Sequence, residues 1–204
     1  ATFQLTIAPI PLQQLLYIFS LIPIHRRIEH HSINRTRPHH GDPLRNATAL
    51  TSLVEEHGVE LREFPQDVYA ADVFPAACSA FIEQVAGAKT SANNCDVVQA
   101  CDTIFLCVKP QNMVAVLAEV RGSVTPDKLF VSIAAGVTLA SLSSGLGTER
   151  IIRVMPNTPC LVGSGASAYS RGDGATDHDA QAIQELLSAV EYATELAESH
   201  LDAV

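Results

Sequence analysis

Residues 102–155 (DTIFLCVKPQNMVAVLAEVRGSVTPDKLFVSIAAGVTLASLSSGLGTERIIRVM) alternate three apolar runs with two segments of helical periodicity. The run at 103–108 is continuous, which is typical of a strand covered on both faces. The largely apolar segments at 128–134 and 150–155 are predicted as the next two strands. Between them, apolar residues recur at helical spacing over 113–120 and 137–146. Buried strands that alternate with helices predict an α/β fold with a doubly wound, mainly parallel sheet of the Rossmann type.

The same alternation continues on both sides of this stretch, although less regularly towards the N-terminus. Further elements are predicted as helices at 44–58, 96–100 and from Thr176 onwards, and as strands at 59–61, 166–170 and 192–196. The region 63–90 breaks the rhythm and could be a pair of short helices or an insertion. Residues 1–31 show no clear period, so we expect an atypical N-terminus.

The composition is that of a globular chain. Of its 204 residues, 47% are hydrophobic and 17% are charged, which provides a core and excludes extensive disorder. The net charge of −9 argues against binding to nucleic acid or to an anionic membrane. The apolar run at 15–24 is too short to span a bilayer, because about 20 apolar residues are needed, and no signal peptide is recognisable.

Neither the cysteines nor the histidines form a recognisable metal site. The five cysteines include no CxxC pair, which argues against structural zinc and disulfides and indicates a reducing compartment. Five of the eight histidines lie within 25–40, either as metal ligands or in a solvated basic loop. No regularly spaced acidic or thiol ligand accompanies them. We therefore expect no metal and a cytoplasmic location, with a mitochondrial one as the alternative.

Ligands of doubly wound sheets bind at the carboxyl ends of the strands. The residues that come directly after strands are therefore the candidate binding residues. They are Asn34, Arg35, Thr36, Lys109, Pro110, Ala134, Ala135, Gly136, Pro156, Asn157 and Thr158.

Four segments around these strand ends resemble Δ1-pyrroline-5-carboxylate reductases. They are DTIFLCVKPQ (102–111), LFVSIAAGVTLASL (129–142), RIIRVMPNTPCLVGSGASAY (150–169) and HLDAV (200–204). They occur in the family's order and spacing and lie within the second half of the chain. The resemblance implies an NADP-dependent oxidoreductase that acts on a C=N bond and reduces 1-pyrroline-5-carboxylate to L-proline, the last step of proline biosynthesis.

The resemblance also implies roles for the strand-end residues. Val108 and the two residues after it would line the adenosine and pyrophosphate side of the cofactor, and the small residues 134–136 would let it pass close to the backbone. Residues 156–158 would shape the nicotinamide end. Lys109 could instead be a solvated surface residue, and Asn157 could stabilise its own turn. No catalytic side chain is predicted, because the protein mainly has to align hydride donor and acceptor.

A further match lies upstream, at 32–36 (SINRT). It resembles the end of the family's second strand, where a small polar residue and an arginine reach the 2′-phosphate of NADP. An NAD site would present a carboxylate there, and 32–37 contain none, which favours NADP with NAD as the alternative. Asn34 and Arg35 could also be turn residues. By its spacing to Lys109, Asn94 matches a cofactor-contacting asparagine of the family, or it caps a helix.

Three features depart from the family. No glycine precedes Gly41, whereas the family's first strand leads into a Gly-x-Gly-x-x-Ala loop whose amides hold the pyrophosphate. The region 63–90 resembles extra sequence, and the family's helical domain, which forms the dimer and holds the substrate carboxylate, would follow Val204. We therefore predict three parts: an atypical segment at 1–31, an NADP-binding domain at 32–197, and the start of the helical domain at 198–204.

These departures leave three hypotheses open. In the first, the chain is a partial pyrroline-5-carboxylate reductase, active or inactive, without the domain through which the family forms homo-oligomers. In the second, it is a non-catalytic nucleotide-binding pseudoenzyme. In the third, it is another Rossmann oxidoreductase, of the β-hydroxyacid dehydrogenase type. In each case the partner is a small molecule rather than nucleic acid or a membrane. Because no counterpart of the family's first strand is recognisable, we expect a sheet without its middle strand and a poorly soluble or partly molten chain.

Overall fold

The computed structural model describes residues 3–7, 68–85, 87–156, 166–188 and 192–203. All of these residues belong to one compact unit. Among them, no helix has the length and apolar character needed to cross a membrane.

The described strands form one eight-stranded sheet in the order β3-β2-β1-β4-β5-β6-β7-β8. Neighbouring strands run parallel, except that β7 is antiparallel to β6. The strands are β1 (Phe3–Ile7), β2 (Val68–Ala71), β3 (Lys89–Ser91), β4 (Thr103–Cys107), β5 (Leu129–Ser132), β6 (Ile151–Met155), β7 (Ala166–Arg171) and β8 (Tyr192–Glu195). The predicted α/β class with a mainly parallel, doubly wound sheet is confirmed.

Five described α-helices connect these strands, and local sequence explains where they begin and end. They are α1 (Pro75–Gln84), α2 (Asn94–Ala100), α3 (Pro110–Val120), α4 (Leu139–Leu146) and α5 (Asp177–Ser188), with 3₁₀ turns at Arg121–Ser123 and Glu198–Ala203. The first helical residue of α1 and α3 is a proline, whose missing N–H costs nothing there. Asn93 and Thr138 cap α2 and α4 through side-chain oxygens, and Gly147 ends α4 in the left-handed conformation.

Helices cover both faces of the sheet, which gives three layers. On β4, Phe105 belongs to an apolar cluster that includes Phe81 of α1 and Ile183 of α5. The next residue, Leu106, belongs to a second cluster that includes Leu117 of α3 and residues of α2 and α4. Successive strand residues thus face opposite layers, which explains the continuous apolar run of β4.

The sheet has its middle strand, contrary to our expectation. β1 lies between β2 and β4 and pairs in parallel with both. The prediction that the sheet would have no strand between β2 and β4 is therefore wrong. We expected a partly molten chain because of that missing strand, so the reason for this expectation is wrong as well. β1 was missed because it is only five residues long and lies in a region without clear periodicity.

The chain from 68 to 91 also differs from its prediction. It forms a strand, a helix and a strand, β2-α1-β3, so the predicted pair of short helices is wrong. The suggestion that 63–90 are an insertion relative to the family stays a prediction. The helix predicted at 44–58 and the strand predicted at 59–61 lie outside the described residues.

Candidate functional site

The strand order creates a switch point between β1 and β4. From β1 the chain continues outward to β2 and β3 on one side, whereas β4, β5 and β6 follow on the other. Loops that leave such neighbouring strands in opposite directions open a crevice at the carboxyl ends of the strands. The carboxyl ends of β2, β1, β4, β5 and β6, called here the carboxyl edge, extend over about 19 Å, since four inter-strand spacings separate them.

The segment after β4 places a positive charge at the carboxyl edge. Val108 is buried in the apolar cluster beneath α3, whereas Lys109 and Pro110 are exposed. Lys109 is the residue directly before α3, and its side chain makes no capping hydrogen bond to that helix. Lys109 therefore adds a positive charge directly before a helix N-terminus, where the helix dipole also favours an anion.

The segment after β5 lies next to it and consists of small residues. Leu106 of β4 pairs with Ser132 of β5, so Ala134 is level with Val108. Ala134 is buried, whereas Ala135 and Gly136 are exposed. Gly136 has a φ of 71°, and a Cβ placed on it would meet no atom within 4 Å. The glycine is therefore required by its backbone conformation, and the space in front of it is open.

Four other predicted residues are placed less directly at this edge, away from it, or outside the described part of the chain. Pro156 is half-buried and comes directly after β6, whereas Asn157 and Thr158 lie outside the described residues. The Asn94 amide donates a hydrogen bond of 2.9 Å to Glu119 near the far end of α3, away from the carboxyl edge. Asn93, not Asn94, caps the helix. The cofactor contacts predicted for these residues stay predictions.

The strand that pairs with β1 on the side away from β4 is β2, whose Ala71 pairs with Thr6. The sequence did not reveal β2, because it is only four residues long and its place in the sheet depends on pairing that no local pattern shows. The strand end predicted at 32–36 lies outside the described residues and stays a prediction. Asn34, Arg35 and Thr36 themselves lie outside the described residues, so their predicted contact with a 2′-phosphate stays a prediction.

Asp72, which sequence reasoning missed, is the residue that follows β2. Its Oδ1 accepts a hydrogen bond of 2.8 Å from the N–H of Phe74. Its Oδ2 is buried and has no hydrogen-bond partner among the residues that the structure describes. Burial raises the pKa of this carboxyl, against the hydrogen bond from Phe74, which lowers it. A carboxylate directly after a short strand that precedes a proline-started helix was the signal available in the sequence.

The sequence after β1 lacks the features of a phosphate-binding loop. Pro9 and Pro11 closely follow β1, and the first glycine is Gly41. Proline has no N–H to donate, and a side chain keeps the backbone away from a phosphate. These residues lie outside the described part of the chain, so this observation comes from the sequence alone.

A buried arginine joins the sheet to the C-terminal turn. Arg153 of β6 is 1% exposed and forms ion pairs of 3.2 Å with Glu198 and 2.5 Å with Asp202. Glu198 also accepts a 2.6 Å hydrogen bond from the N–H of Leu139 at the start of α4. This carboxylate therefore fixes the turn at 198–203 against both β6 and α4, a structural role that the sequence did not reveal.

Other reactive groups in the described part of the chain do not form a second site. Cys107 is buried in the core, and this burial raises the pKa of its thiol, so it packs as an apolar residue. Within the described ranges, no three metal-ligating side chains come together, and the histidines of 25–40 lie outside them. An open groove of about 1020 Å³ lies between α4, β7 and β8, and none of the predicted site residues lines it.

Comparison with known proteins agrees with the resemblance noted in the sequence. A family model described as "NADP oxidoreductase coenzyme F420-dependent" matches residues 45–136. Pyrroline-5-carboxylate reductase 3 of Rattus norvegicus is 41% identical over 117 residues, which are 57% of this chain and 43% of that protein. Pyrroline-5-carboxylate reductase of Methanosarcina acetivorans is 37% identical over 142 residues, 69% of this chain and 52% of that protein. The resemblance to pyrroline-5-carboxylate reductases is confirmed.

A solved structure shows the same fold. The Plasmodium falciparum pyrroline carboxylate reductase with NADP bound matches 98% of this chain and 60% of that one, with a TM-score of 0.64 and 18% identity. At this identity the likeness supports the Rossmann-type fold alone. The chain spans about half the length of the curated pyrroline-5-carboxylate reductases it matches.

Proposed function

We propose that this chain binds a nicotinamide dinucleotide along the carboxyl edge and belongs to a pyrroline-5-carboxylate reductase, which forms L-proline from 1-pyrroline-5-carboxylate. The observation that carries this proposal is the juxtaposition of 108–110 with 134–136. Both segments resemble the family, and the sheet brings them side by side next to the switch point. This is the position at which Rossmann folds bind dinucleotides.

The described residues fit such a ligand at three strand ends. Lys109 provides a positive charge near the N-terminus of α3, suited to a phosphate. The open space in front of Gly136 admits a ligand close to the backbone. The carboxylate oxygen of Asp72 that has no partner among the described residues can accept a hydroxyl hydrogen.

The proposed reaction requires the side chains mainly to position the reactants. When bound, the reduced nicotinamide supplies a hydride to the carbon of the substrate's C=N bond, and the protonated nitrogen becomes the amine of proline. A protonated imine is already electrophilic, so the chain's task is to hold the ring in place and exclude water. Residues 134–136 restrict the ligand's path along β5, and Pro156 after β6 bounds it on the nicotinamide side.

The partners and location follow the same proposal. The substrate is a small imine carboxylate, and homo-oligomers form through the family's C-terminal helical domain, into which 198–203 would lead. We propose a cytoplasmic or mitochondrial location. A nucleotide-binding protein without activity is the second candidate, because Pro9 and Pro11 stand where the family has its glycine-rich loop.

A matched pair of glycine variants tests the proposal. Gly136 and Gly87 both have positive φ (71° and 78°), and a Cβ added to either would have no atom within 4 Å. Gly87 precedes β3 at the opposite end of the strands, so Gly87→Ala carries the same backbone strain away from the site. We expect Gly136→Ala to weaken NADPH and NADH binding at least fivefold in titration calorimetry and Gly87→Ala to leave it unchanged, since only the first methyl group enters the ligand's path.

Activity separates the two candidate functions. Oxidation of NADPH or NADH that depends on added 1-pyrroline-5-carboxylate supports the reductase, and binding without turnover supports the nucleotide-binding protein. Equal effects of both glycine substitutions on binding would contradict the proposed location of the ligand. If neither dinucleotide binds to the folded chain, both candidates are wrong.

A further inference from the structure

The segment that follows β5 is held at its two ends by hydrogen bonds to side chains. At its start, the N–H of Ala134 donates a 3.3 Å hydrogen bond to Oγ of Ser132. At its end, the N–H of Leu139, the first residue of α4, donates a 2.6 Å hydrogen bond to Oε1 of Glu198. The exposed residues 135–136, which the proposed ligand would approach, lie between these two anchors.

A tight turn connects the two anchors. The N–H of Val137 donates a 3.4 Å hydrogen bond to the carbonyl oxygen of Ala134. Gly136, the third residue of this turn, has a φ of 71°, as in turns of type II. Only Thr138, the N-cap of α4, separates the turn from Leu139. A displacement at the start of α4 would therefore shift the turn itself.

Glu198 is in turn fixed by a charge buried in the sheet. It lies in the 3₁₀ turn after β8, 59 residues beyond Leu139 in the sequence. The same Oε1 accepts a 3.2 Å hydrogen bond from Nη1 of Arg153, which is 1% exposed. Arg153 of β6 pairs with Ser132 of β5. Both anchors of the segment are thus connected to neighbouring positions in the interior of the sheet.

The hydrogen bond at the start of α4 is one of the stronger kinds. The first N–H groups of a helix have no partner within the helix, and both the charge of a carboxylate and the helix dipole strengthen a bond to them. Without this bond, the start of α4 and the turn before it could adopt several positions. A ligand that fits one position would bind only that fraction of the molecules, which lowers its apparent affinity in proportion.

We propose that Glu198 is a positioning residue of the dinucleotide site. Through the N–H of Leu139, its carboxylate holds the turn at 134–137 in the position in which the dinucleotide binds. This inference rests on the proposed function and adds to it, because it makes the turn at 198–203 a determinant of dinucleotide affinity although that turn contributes no residue to the carboxyl edge. Glu198 acts through the backbone and takes no part in hydride transfer.

Leu139→Pro removes the donor and leaves the ion pair of Glu198 with Arg153 in place. Proline is well tolerated at the first position of a helix, and the φ of −76° and ψ of 157° at Thr138 suit a residue before proline. Leu139→Ala is the matched variant, because it shortens the same side chain but keeps the N–H. In titration calorimetry we expect Leu139→Pro to bind NADPH and NADH about tenfold more weakly than Leu139→Ala does, the effect of one hydrogen bond to a charged group.

A second pair of variants tests Glu198 itself. Glu198→Ala and Asp202→Ala each remove one carboxylate from Arg153, but only the first removes the acceptor at α4. Both should be less stable in urea, whereas affinity for the dinucleotides should fall about tenfold in Glu198→Ala and by less than about twofold in Asp202→Ala. Glu198→Gln, whose amide oxygen can still accept the hydrogen bond from Leu139, should recover most of the affinity. A role in stability alone would not separate these variants by affinity.

Each result decides for or against the proposal. Equal affinities of Leu139→Pro and Leu139→Ala, or equal losses in Glu198→Ala and Asp202→Ala, would overturn the role of Glu198 and leave the proposed dinucleotide site intact. If Leu139→Pro does not fold, the second pair of variants decides. Failure of the folded, unmodified chain to bind either dinucleotide would overturn this inference and the proposed function together.

Discussion

Asp179 should contribute to folding stability in a manner that depends on pH. Its carboxylate is 4% exposed and accepts hydrogen bonds from Arg150 at 2.9 Å (Nε) and 2.7 Å (Nη2). It also accepts a 2.9 Å hydrogen bond from the N–H of Thr176, whose hydroxyl oxygen accepts one from the N–H of Asp179. This reciprocal arrangement caps α5 and joins it to the start of β6.

The size of the effect follows from the pKa. The hydrogen bonds from Arg150, opposed by burial, lower the pKa of Asp179 from 3.8 to about 2. Each pKa unit corresponds to about 1.4 kcal/mol, so the ionised carboxylate stabilises the folded state by about 2 kcal/mol at pH 7. Because the folded pKa is depressed, this stabilisation is complete above the unfolded pKa and is lost as the pH falls towards 2. At pH 3 about 1 kcal/mol should remain.

Urea unfolding of Asp179→Asn at pH 7, 5 and 3 measures this dependence. We expect the variant to be less stable than the unmodified chain by about 2 kcal/mol at pH 7 and by about 1 kcal/mol at pH 3. Asp177→Asn is the control, since Asp177 lies on the same turn of α5 but its side chain is 99% exposed, and exposed ion pairs contribute little. A loss of the same size at pH 3 and pH 7 would refute the electrostatic origin of the effect.

Two further stability predictions concern buried contacts. Replacing Glu198 and Asp202 together by their amides should cost about 3–5 kcal/mol in urea unfolding, because it leaves the buried charge of Arg153 without a partner. Arg153→Met should cost clearly less, since the two carboxylates can be hydrated; the reverse order would contradict this reasoning. Gly145→Ala should lower stability by about 1–3 kcal/mol, because its Cβ would lie 2.6 Å from Cδ1 of Leu117. Leu117→Ala in the same chain should remove most of that additional loss, and simple additivity of the two substitutions would argue against the clash.

The fold could be predicted where strands are buried on both faces. β4, β5 and β6 lie in the interior of the sheet, and their residues are apolar apart from Thr103, Ser132 and Arg153. β3 consists of Lys-Thr-Ser at the edge of the sheet, without a buried side chain. Such a strand is stabilised by pairing with its neighbour, so its own residues need not be apolar. The first half of the sheet therefore could not be recognised from local patterns.

The residues of the candidate site also fall into those that the sequence could predict and those that it could not. Residues 108–110 and 134–136 follow strands that the sequence revealed, and they could be predicted from their position. Asp72 could not, because its importance depends on which strand pairs with β1, and that pairing joins residues more than sixty positions apart. The order of strands in the sheet is information that no short stretch of this sequence contains.

The sequence after β1 offers few backbone donors to the centre of the proposed ligand, which affects how the pyrophosphate can be bound. β1 ends at the switch point, where a dinucleotide's pyrophosphate is normally held by glycine amides, yet Pro9 and Pro11 follow it in the sequence. Two peptide N–H donors are thus missing from that stretch. Among the described residues of the carboxyl edge, Lys109 at the start of α3 is placed to offset a phosphate charge. Affinity for the pyrophosphate in this chain should therefore depend more on Lys109 than on backbone amides after β1.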